Sequence, residues 1–317
     1  MQCVGDFMKK VFIDGKAGTT GLRIYERLGG RKDIEIITLS EEMRKDYNAR
    51  KQAINSADVV FLCLPDAASK EAVGMLENDS TVLIDTSTAH RTNPEWAYGF
   101  PELSDDFENK IKSSNKIAVP GCHASGFIAL VYPLIESGII SPGAELTCHS
   151  ITGYSGGGKK MIEQYNADDR DNLLDAPRQY GLTQMHKHLK EMKAVSGLEK
   201  EPVFCPIVSD FYSGMVVTVP LFKSMLQNDA SVEDIRKIYA GKYNSEIVGY
   251  KEFADEDGFI SAAGLSGKDS MQITVAGNDE RILLIARYDN LGKGASGAAL
   301  ECLNIVLGND KKANLDI

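Results

Sequence analysis

Cys122 stands in the run Ile117-Ala118-Val119-Pro120-Gly121-Cys122-His123-Ala124-Ser125-Gly126-Phe127. Residues 116–119 read as a short buried strand and Pro120-Gly121 as a turn. From there the apolar positions 127, 130, 131, 134 and 135 have helical spacing. The cysteine therefore falls in the first turn of a helix. Unpaired backbone N–H groups and the positive end of the dipole lie there, and both favour thiolate over thiol. Such a thiolate is a nucleophile for an electrophilic carbonyl. A small cysteine that merely packs has the same local signature, so the rest of the chain has to decide. The natural acid or base comes from the five histidines, and His186 and His188 in His186-Lys187-His188-Leu189-Lys190-Glu191 are the candidates. On a helix an i, i+2 pair diverges, which argues against a shared metal.

A nucleophile needs a platform, and the first 115 residues read as one for a nucleotide. Val11-Phe12-Ile13 is a strand, followed by a glycine turn and a helix from Leu22. Gly15, Gly18 and Gly21 give G-x-x-G-x-x-G, a departure from G-x-G-x-x-G. With Thr19 and Thr20 they present backbone N–H groups and a helix dipole to phosphate. The second strand, Ile34 to Leu39, ends at Ser40, with Arg44 four residues on. An NAD site usually carries an acidic residue there. A hydroxyl with a guanidinium suits a 2′-phosphate, so NADP is the expected cofactor, although Glu41 and Glu42 lie alongside. Strands at 58–64 and 81–85 alternate with helices, which implies a parallel sheet covered on both faces. Ligands bind such sheets beyond the strand C-termini. Gly15–Gly21, Pro65–Ser69, Asp85–Arg91 and Cys122 all fall at that edge.

From about residue 145 the texture changes. Strands are expected at 145–152, 203–209, 214–220, 271–276 and 281–288, and helices near 159–165, 183–195 and 231–240. They suit a half-buried antiparallel or mixed sheet with helices on one face. The stretch 294–308 reads as a helix capped by Gly308 that returns to the first unit. The expected class is α/β: a Rossmann-type sheet over 1–120 with 290–317, and an α+β second unit over 121–289. Residues 1–7 read as an extension before the first strand. Thr152-Gly153-Tyr154-Ser155-Gly156-Gly157-Gly158-Lys159-Lys160 reads as a flexible loop that closes over a ligand.

Composition excludes several classes. A net charge of −10 over 317 residues argues against a nucleic-acid surface or an anionic membrane. The longest apolar runs fall far short of the ~20 residues of a membrane helix, and the N-terminus lacks a signal-peptide core. The six cysteines (3, 63, 122, 148, 205 and 302) have neither C-x-x-C nor metal-ligand spacing, which suits a reducing cytoplasm.

Seven motifs in order resemble the N-acetyl-γ-glutamyl-phosphate reductase family, in its shorter length class. They are the glycine turn; Asp85-Thr86-Ser87-Thr88-Ala89-His90-Arg91; Tyr98-Gly99-Phe100-Pro101-Glu102-Leu103; Pro120-Gly121-Cys122; Ser155-Gly156-Gly157-Gly158-Lys159; His186-Lys187-His188 with Glu191; and Asp289-Asn290-Leu291-Gly292-Lys293-Gly294-Ala295-Ser296-Gly297. Gly121 before the cysteine is unlike the Asn of aspartate-semialdehyde dehydrogenases, a related family. The resemblance implies a glyceraldehyde-3-phosphate dehydrogenase-like second unit and a homodimer or homotetramer. It implies that Cys122 attacks an acyl phosphate and that NADPH reduces the thioester. His186 or His188 is then the acid/base. Arg91, Lys159 and Glu191 contact substrate, while Pro65, Asn290 and Gly292 join the cofactor site. His123-Ala124-Ser125 after the nucleophile and Leu189-Lys190-Glu191 after His188 depart from the longer class.

Three other readings compete. The same motifs would serve the one-carbon-longer acyl phosphate of aminoadipate-route lysine synthesis, since a methylene is worth only ~1–3 kcal/mol of discrimination. A Cys/His hydrolase leaves the nucleotide platform idle. A non-catalytic NADP-binding sensor leaves Cys122 idle.

Overall fold

A computed structural model describes residues 8–317; the extension expected over 1–7 lies outside them. The first sheet is parallel throughout, with β1 (Lys9–Asp14), β2 (Ile34–Ile37), β3 (Val59–Leu62), β4 (Val82–Asp85), β5 (Ala97–Tyr98) and β6 (Lys116–Ala118) in the order β2-β1-β3-β4-β6-β5. α1 (Thr19–Leu28), α2 (Tyr47–Ser56), α3 (Asp66–Gly74) and α4 (Asp105–Ser113) fall between the strands. Strand side chains alternate between faces. Val11 and Ile13 of β1 therefore join one apolar cluster, with Ile24, Val59 and Ile117, while Phe12 joins another with Ile54, Val60 and Met75.

The second sheet contains β7 (Thr147–Gly153), β8 (Arg178–Gln179), β9 (Val203–Ser209), β10 (Met215–Phe222), β11 (Val248–Tyr250), β12 (Met271–Gly277) and β13 (Arg281–Tyr288). Their order is β11-β12-β13-β10-β7-β9-β8, mixing parallel and antiparallel pairs. α5 (Cys122–Glu136), α7 (His188–Ser196) and α8 (Val232–Lys242) share one core with this sheet. Residues 123–131 of α5 are all buried, as suits a helix that is apolar on every side. On the other face Ile151, Val203, Phe222 and Leu283 are exposed. α6 (Gly158–Asn166) follows the glycine stretch. α9 (Gly297–Leu307) ends at Gly308, whose φ of +71° is the left-handed cap, and packs Ala299, Leu300 and Leu303 onto the first sheet.

The departures from expectation have local causes. β2 stops at Ile37 instead of Leu39, because its pairing with β1 ends at Phe12–Ile37. The helix expected from 183 begins only at His188; Gly181 (φ +64°) and Gln184 (φ +55°) lie in left-handed backbone. β5, β8 and β11 have only two or three residues each, too few to show a period.

Lys293 links the returning segment to the first unit. It is 2% exposed, its Nζ lies 2.8 Å from both Glu102 oxygens, and it also pairs with Glu301. Removing one partner from a buried ionic cluster strands the others. Lys293→Met is expected to destabilise the fold by about 3–5 kcal/mol, read as a lower urea midpoint; an unchanged midpoint would contradict this.

Candidate active site

β1, β3, β4 and β6 release their loops at one sheet edge, the crevice where such folds take ligands. A cleft of about 430 Å³ opens there, lined by Gly18–Gly21, Pro65, Thr86 and Cys122 from one side and by Gly156, His186, His188 and Asn290 from the other. The glycine turn is shaped for close approach. Gly15 has φ +89°, and a Cβ on it would lie 2.2 Å from the Cys63 carbonyl oxygen. A Cβ on Gly21 would lie 2.6 Å from the Gly15 oxygen. Gly18 stands at the N-terminal cap of α1 and supplies no side-chain cap. No hydrogen bond within the described residues engages the N–H groups of Thr19, Thr20 or Gly21, which leaves them available to an anion.

A second cleft of about 430 Å³ lies across Gly15 and is lined by Asp14, Thr38, Glu41, Arg44, Lys45 and Arg50. Ser40 is not in its lining. The Ser40 carbonyl accepts the N–H groups of Met43 and Arg44, and its hydroxyl engages Glu42. Its place is in the turn that presents Arg44, beyond the strand end. Arg44 itself pairs with Glu41 at 2.8 Å.

Glu191 organises the approach to Cys122. Its Oε1 accepts the Gly121 N–H at 2.8 Å and the Tyr98 hydroxyl at 2.7 Å, and its Oε2 accepts Arg91 Nη1 at 3.1 Å. Both oxygens are thus engaged by the protein, in a scaffolding contact between the two units. Arg91 also donates to the Val119 carbonyl at 2.8 Å and the Thr86 carbonyl at 2.9 Å, and keeps unpaired N–H hydrogens on its terminal nitrogens. It lines the cleft. The loop before it is held by Asp85, which accepts from Ser87 and bonds His90 Nδ1 at 2.6 Å. Lys159 is exposed on α6 and outside the cleft lining; Gly156–Gly158 and Met161 line it instead. The glycine stretch is a short 3₁₀ turn over Tyr154–Gly157 running into α6, not an open loop. Asn290 is buried, donating to Ser155 Oγ at 3.0 Å and accepting the Gly214 N–H at 2.9 Å. Gly292 is buried where Lys268 backbone leaves no room for a Cβ, and its N–H donates to Asp289 at 3.1 Å.

Cys122 opens α5, and the His123 N–H donates to its sulfur. Burial nevertheless pushes its thiol above the ordinary value, against the pull of Arg91, that N–H and Lys187. The expectation that the helix start alone favours thiolate is corrected: desolvation is the larger effect. His188 is buried, and a Cβ on Gly121 would lie 2.5 Å from its Nε2. His186 precedes the helix, so the two rings do not diverge; their centroids are 4.7 Å apart. His186 Nδ1 accepts the His188 N–H at 3.3 Å. Burial lowers the pKa of both, most strongly for His188, so both rings are neutral near pH 7.

Several groups here escape a reading of the sequence. His123 belongs to the same aromatic cluster, 5.6 Å from His188 and 5.9 Å from His186 between centroids. Its place directly after Cys122 was the one available signal. Tyr288 accepts the Gly126 N–H at 3.0 Å and donates to the Cys122 carbonyl at 2.5 Å. Lys187 and Tyr180 line the cleft as well. Nothing local marks Tyr180 or Tyr288.

The semialdehyde dehydrogenase NAD-binding family matches residues 10–112, and the semialdehyde dehydrogenase dimerisation family matches 122–290. N-acetyl-gamma-glutamyl-phosphate reductase 2 of a Nostoc species is 44% identical over 96% of this chain and 99% of its own. The chain belongs to the N-acetyl-γ-glutamyl-phosphate reductase family. It is an oxidoreductase that binds a nicotinamide cofactor. Another member of the family, the N-acetyl-gamma-glutamyl-phosphate reductase of Sinorhizobium medicae, is 44% identical over 94% of this chain and 98% of its own. The fold is shared with aspartate semialdehyde dehydrogenase II of Vibrio cholerae, at a TM-score of 0.70 and 15% identity over 95% of this chain and 99% of that one.

A thiol raised by burial reacts as thiolate only at alkaline pH. Alkylation of Cys122 by iodoacetamide is therefore expected to accelerate steadily as pH rises toward and beyond 9, in the protein free of ligands. A rate that levels off near neutral pH would show instead a preformed thiolate.

Proposed function

We propose that this chain reduces N-acetyl-γ-glutamyl phosphate to N-acetylglutamate 5-semialdehyde with release of phosphate, as a step of arginine biosynthesis in the cytoplasm. The observation that carries the reading is the meeting, in one cleft, of Cys122 at a helix start, His188 Nε2 against Gly121, and the uncapped glycine turn. Residues 8–120 with 290–317 would hold the nucleotide, and 121–289 the chemistry.

The Cys122 sulfur attacks the acyl carbonyl while neutral His188 takes the thiol proton. The bond from carbonyl carbon to phosphate oxygen breaks, and the departing phosphate takes a proton from solvent. The thioester remains on Cys122. N–H groups at the start of α5 that neither Glu191 nor the sulfur holds would serve the developing oxyanion. NADPH, when bound, supplies hydride to the thioester carbon. The resulting alkoxide collapses, the C–S bond breaks, the aldehyde leaves, and His188 returns the proton to sulfur. Between the two histidines His188 is favoured, because its Nε2 lies against the nucleophile's turn while His186 caps the His188 backbone. Arg91, with N–H hydrogens free at the cleft, is the proposed phosphate ligand. Lys187 replaces Lys159 as the second cation, because it lines the cleft.

NADP is favoured over NAD by Arg44 and Lys45 in the second cleft. Thr19, Thr20 and the glycines of the turn would hold the pyrophosphate, with Pro65 and Asn290 bordering the nicotinamide end; Gly292, buried against Lys268, lies outside the cleft lining, and Gly294 and Ala295 line it instead. The exposed apolar face of the second sheet supports a homodimer or homotetramer. No helix among the described residues is long and apolar enough to cross a membrane.

Supplied with N-acetylglutamate semialdehyde, phosphate and NADP, the protein is expected to form NADPH. The activity should require phosphate and vanish in Cys122→Ser. Turnover only with the aminoadipate homologue would reassign the substrate, and NADP binding without turnover of either would reject the reading. Separately, Arg44→Ala should raise KM for NADPH about tenfold, the worth of one charge-assisted hydrogen bond, and leave that for NADH nearly unchanged. Equal effects on both would remove the 2′-phosphate assignment.

A further inference from the structure

His123 is 3% exposed and bridges two hydroxyls. Its Nδ1 lies 2.6 Å from Ser150 Oγ on β7, and its Nε2 lies 2.6 Å from the Tyr180 hydroxyl. Neither hydroxyl has another hydrogen-bond partner among the described residues. The Phe204 ring packs edge-on at 5.2 Å from the imidazole. Burial lowers the His123 pKa to about 3, so the ring is neutral and carries a single N–H.

A neutral imidazole between two hydroxyls has two proton arrangements. In one, Nδ1–H donates to Ser150 and the Tyr180 hydroxyl donates to Nε2. The Ser150 hydrogen is then left without an acceptor on a residue with no exposed surface, which is costly. In the other, Ser150 donates to Nδ1 and Nε2–H donates to the Tyr180 oxygen. Every buried hydrogen is then used. The one left over is the hydroxyl hydrogen of Tyr180, which is half-buried and lines the cleft with Cys122 and His188. The Tyr180 backbone is pinned by its N–H to the Pro206 carbonyl at 3.0 Å.

We propose that Ser150 and His123 form a proton-ordered chain that makes the Tyr180 hydroxyl a hydrogen-bond donor to the carbonyl oxygen of the acyl group reacting at Cys122. Tyr180 is the group that touches substrate; Ser150 and His123 are positioning residues. This rests on the acyl phosphate reading above. As sulfur adds to the carbonyl carbon, the C=O π pair moves onto oxygen. The phenol stabilises that charge by its hydrogen bond and keeps its proton, since burial holds its pKa above the ordinary value. The arrangement is particular to a chain with histidine directly after the nucleophile.

Side-chain ¹⁵N NMR of the whole protein, with the His123 signals assigned by their loss in His123→Asn, is expected to show a protonated Nε2 and a bare Nδ1. A protonated Nδ1 would overturn the proposal. In the reductase assay Tyr180→Phe should lower kcat about 10- to 100-fold, the range of a lost oxyanion donor, with KM changed far less. Ser150→Ala keeps the imidazole and releases its tautomer, so a smaller loss of kcat is expected. The double variant Ser150→Ala/Tyr180→Phe should be no slower than Tyr180→Phe alone. Losses that multiply, or that fall on stability and KM instead of kcat, would show a merely structural role. A wild-type enzyme inactive on the acyl phosphate would count against the substrate reading, while the tautomer still decides the proton order.

Discussion

One carboxylate sets the geometry on which the site depends. Glu191 sits in the first turn of α7, in the second unit, and is nearly inaccessible to solvent. It reaches across to three groups of the first unit and the junction: the Tyr98 hydroxyl, the Arg91 guanidinium and the Gly121 N–H. A buried charge needs this many partners to offset its lost hydration. The consequence is positional. The turn before Cys122, the cation beside it and the helix that carries His188 are held to a common point. Gly121 is confined by the same crowding. A methyl group there would strike both Arg91 and His188, so the backbone itself is the only thing that fits between cation, imidazole and carboxylate.

That crowding explains the protonation of the site. His188 and His123 are buried and Cys122 and His186 partly so, and the lost hydration penalises every charged form. The thiol is pushed up and the imidazoles down, leaving a neutral pair. A neutral thiol beside a neutral base is stable at rest and ionises as the proton moves between them. The helix dipole, Arg91 and Lys187 all pull toward thiolate, and they moderate the burial effect without reversing it.

The two units meet along α5. Its apolar surface lies in the core of the second sheet, while its N-terminus opens at the edge of the first. Tyr288, at the end of β13, grips that N-terminus through the Cys122 carbonyl and the Gly126 N–H. The chain then passes through the Lys293 cluster and returns as α9 to the first sheet. The nucleophile is thereby braced from both sheets at once, which a helix attached to either alone would not achieve.

The local physics of this chain is legible without coordinates. Glycine spacing after β1, helical periodicity after Pro120-Gly121 and the strand-like stretches at β9, β10, β12 and β13 depend on near neighbours, and they carried the fold and placed Cys122 at a helix start. Tertiary structure decided what depends on distant neighbours. The His186–His188 pair reads as divergent because i, i+2 spacing assumes a helix, whereas left-handed residues before His188 delay the helix and bring the rings together. Ser40 and Lys159 carry suitable chemistry, but a turn and a helix end place them outside the clefts. Ser150, Tyr180 and His123 gather across 27 and 57 residues of separation. No periodicity registers such a meeting, because hydrogen bonds and desolvation depend on proximity in space, which only the packed fold creates.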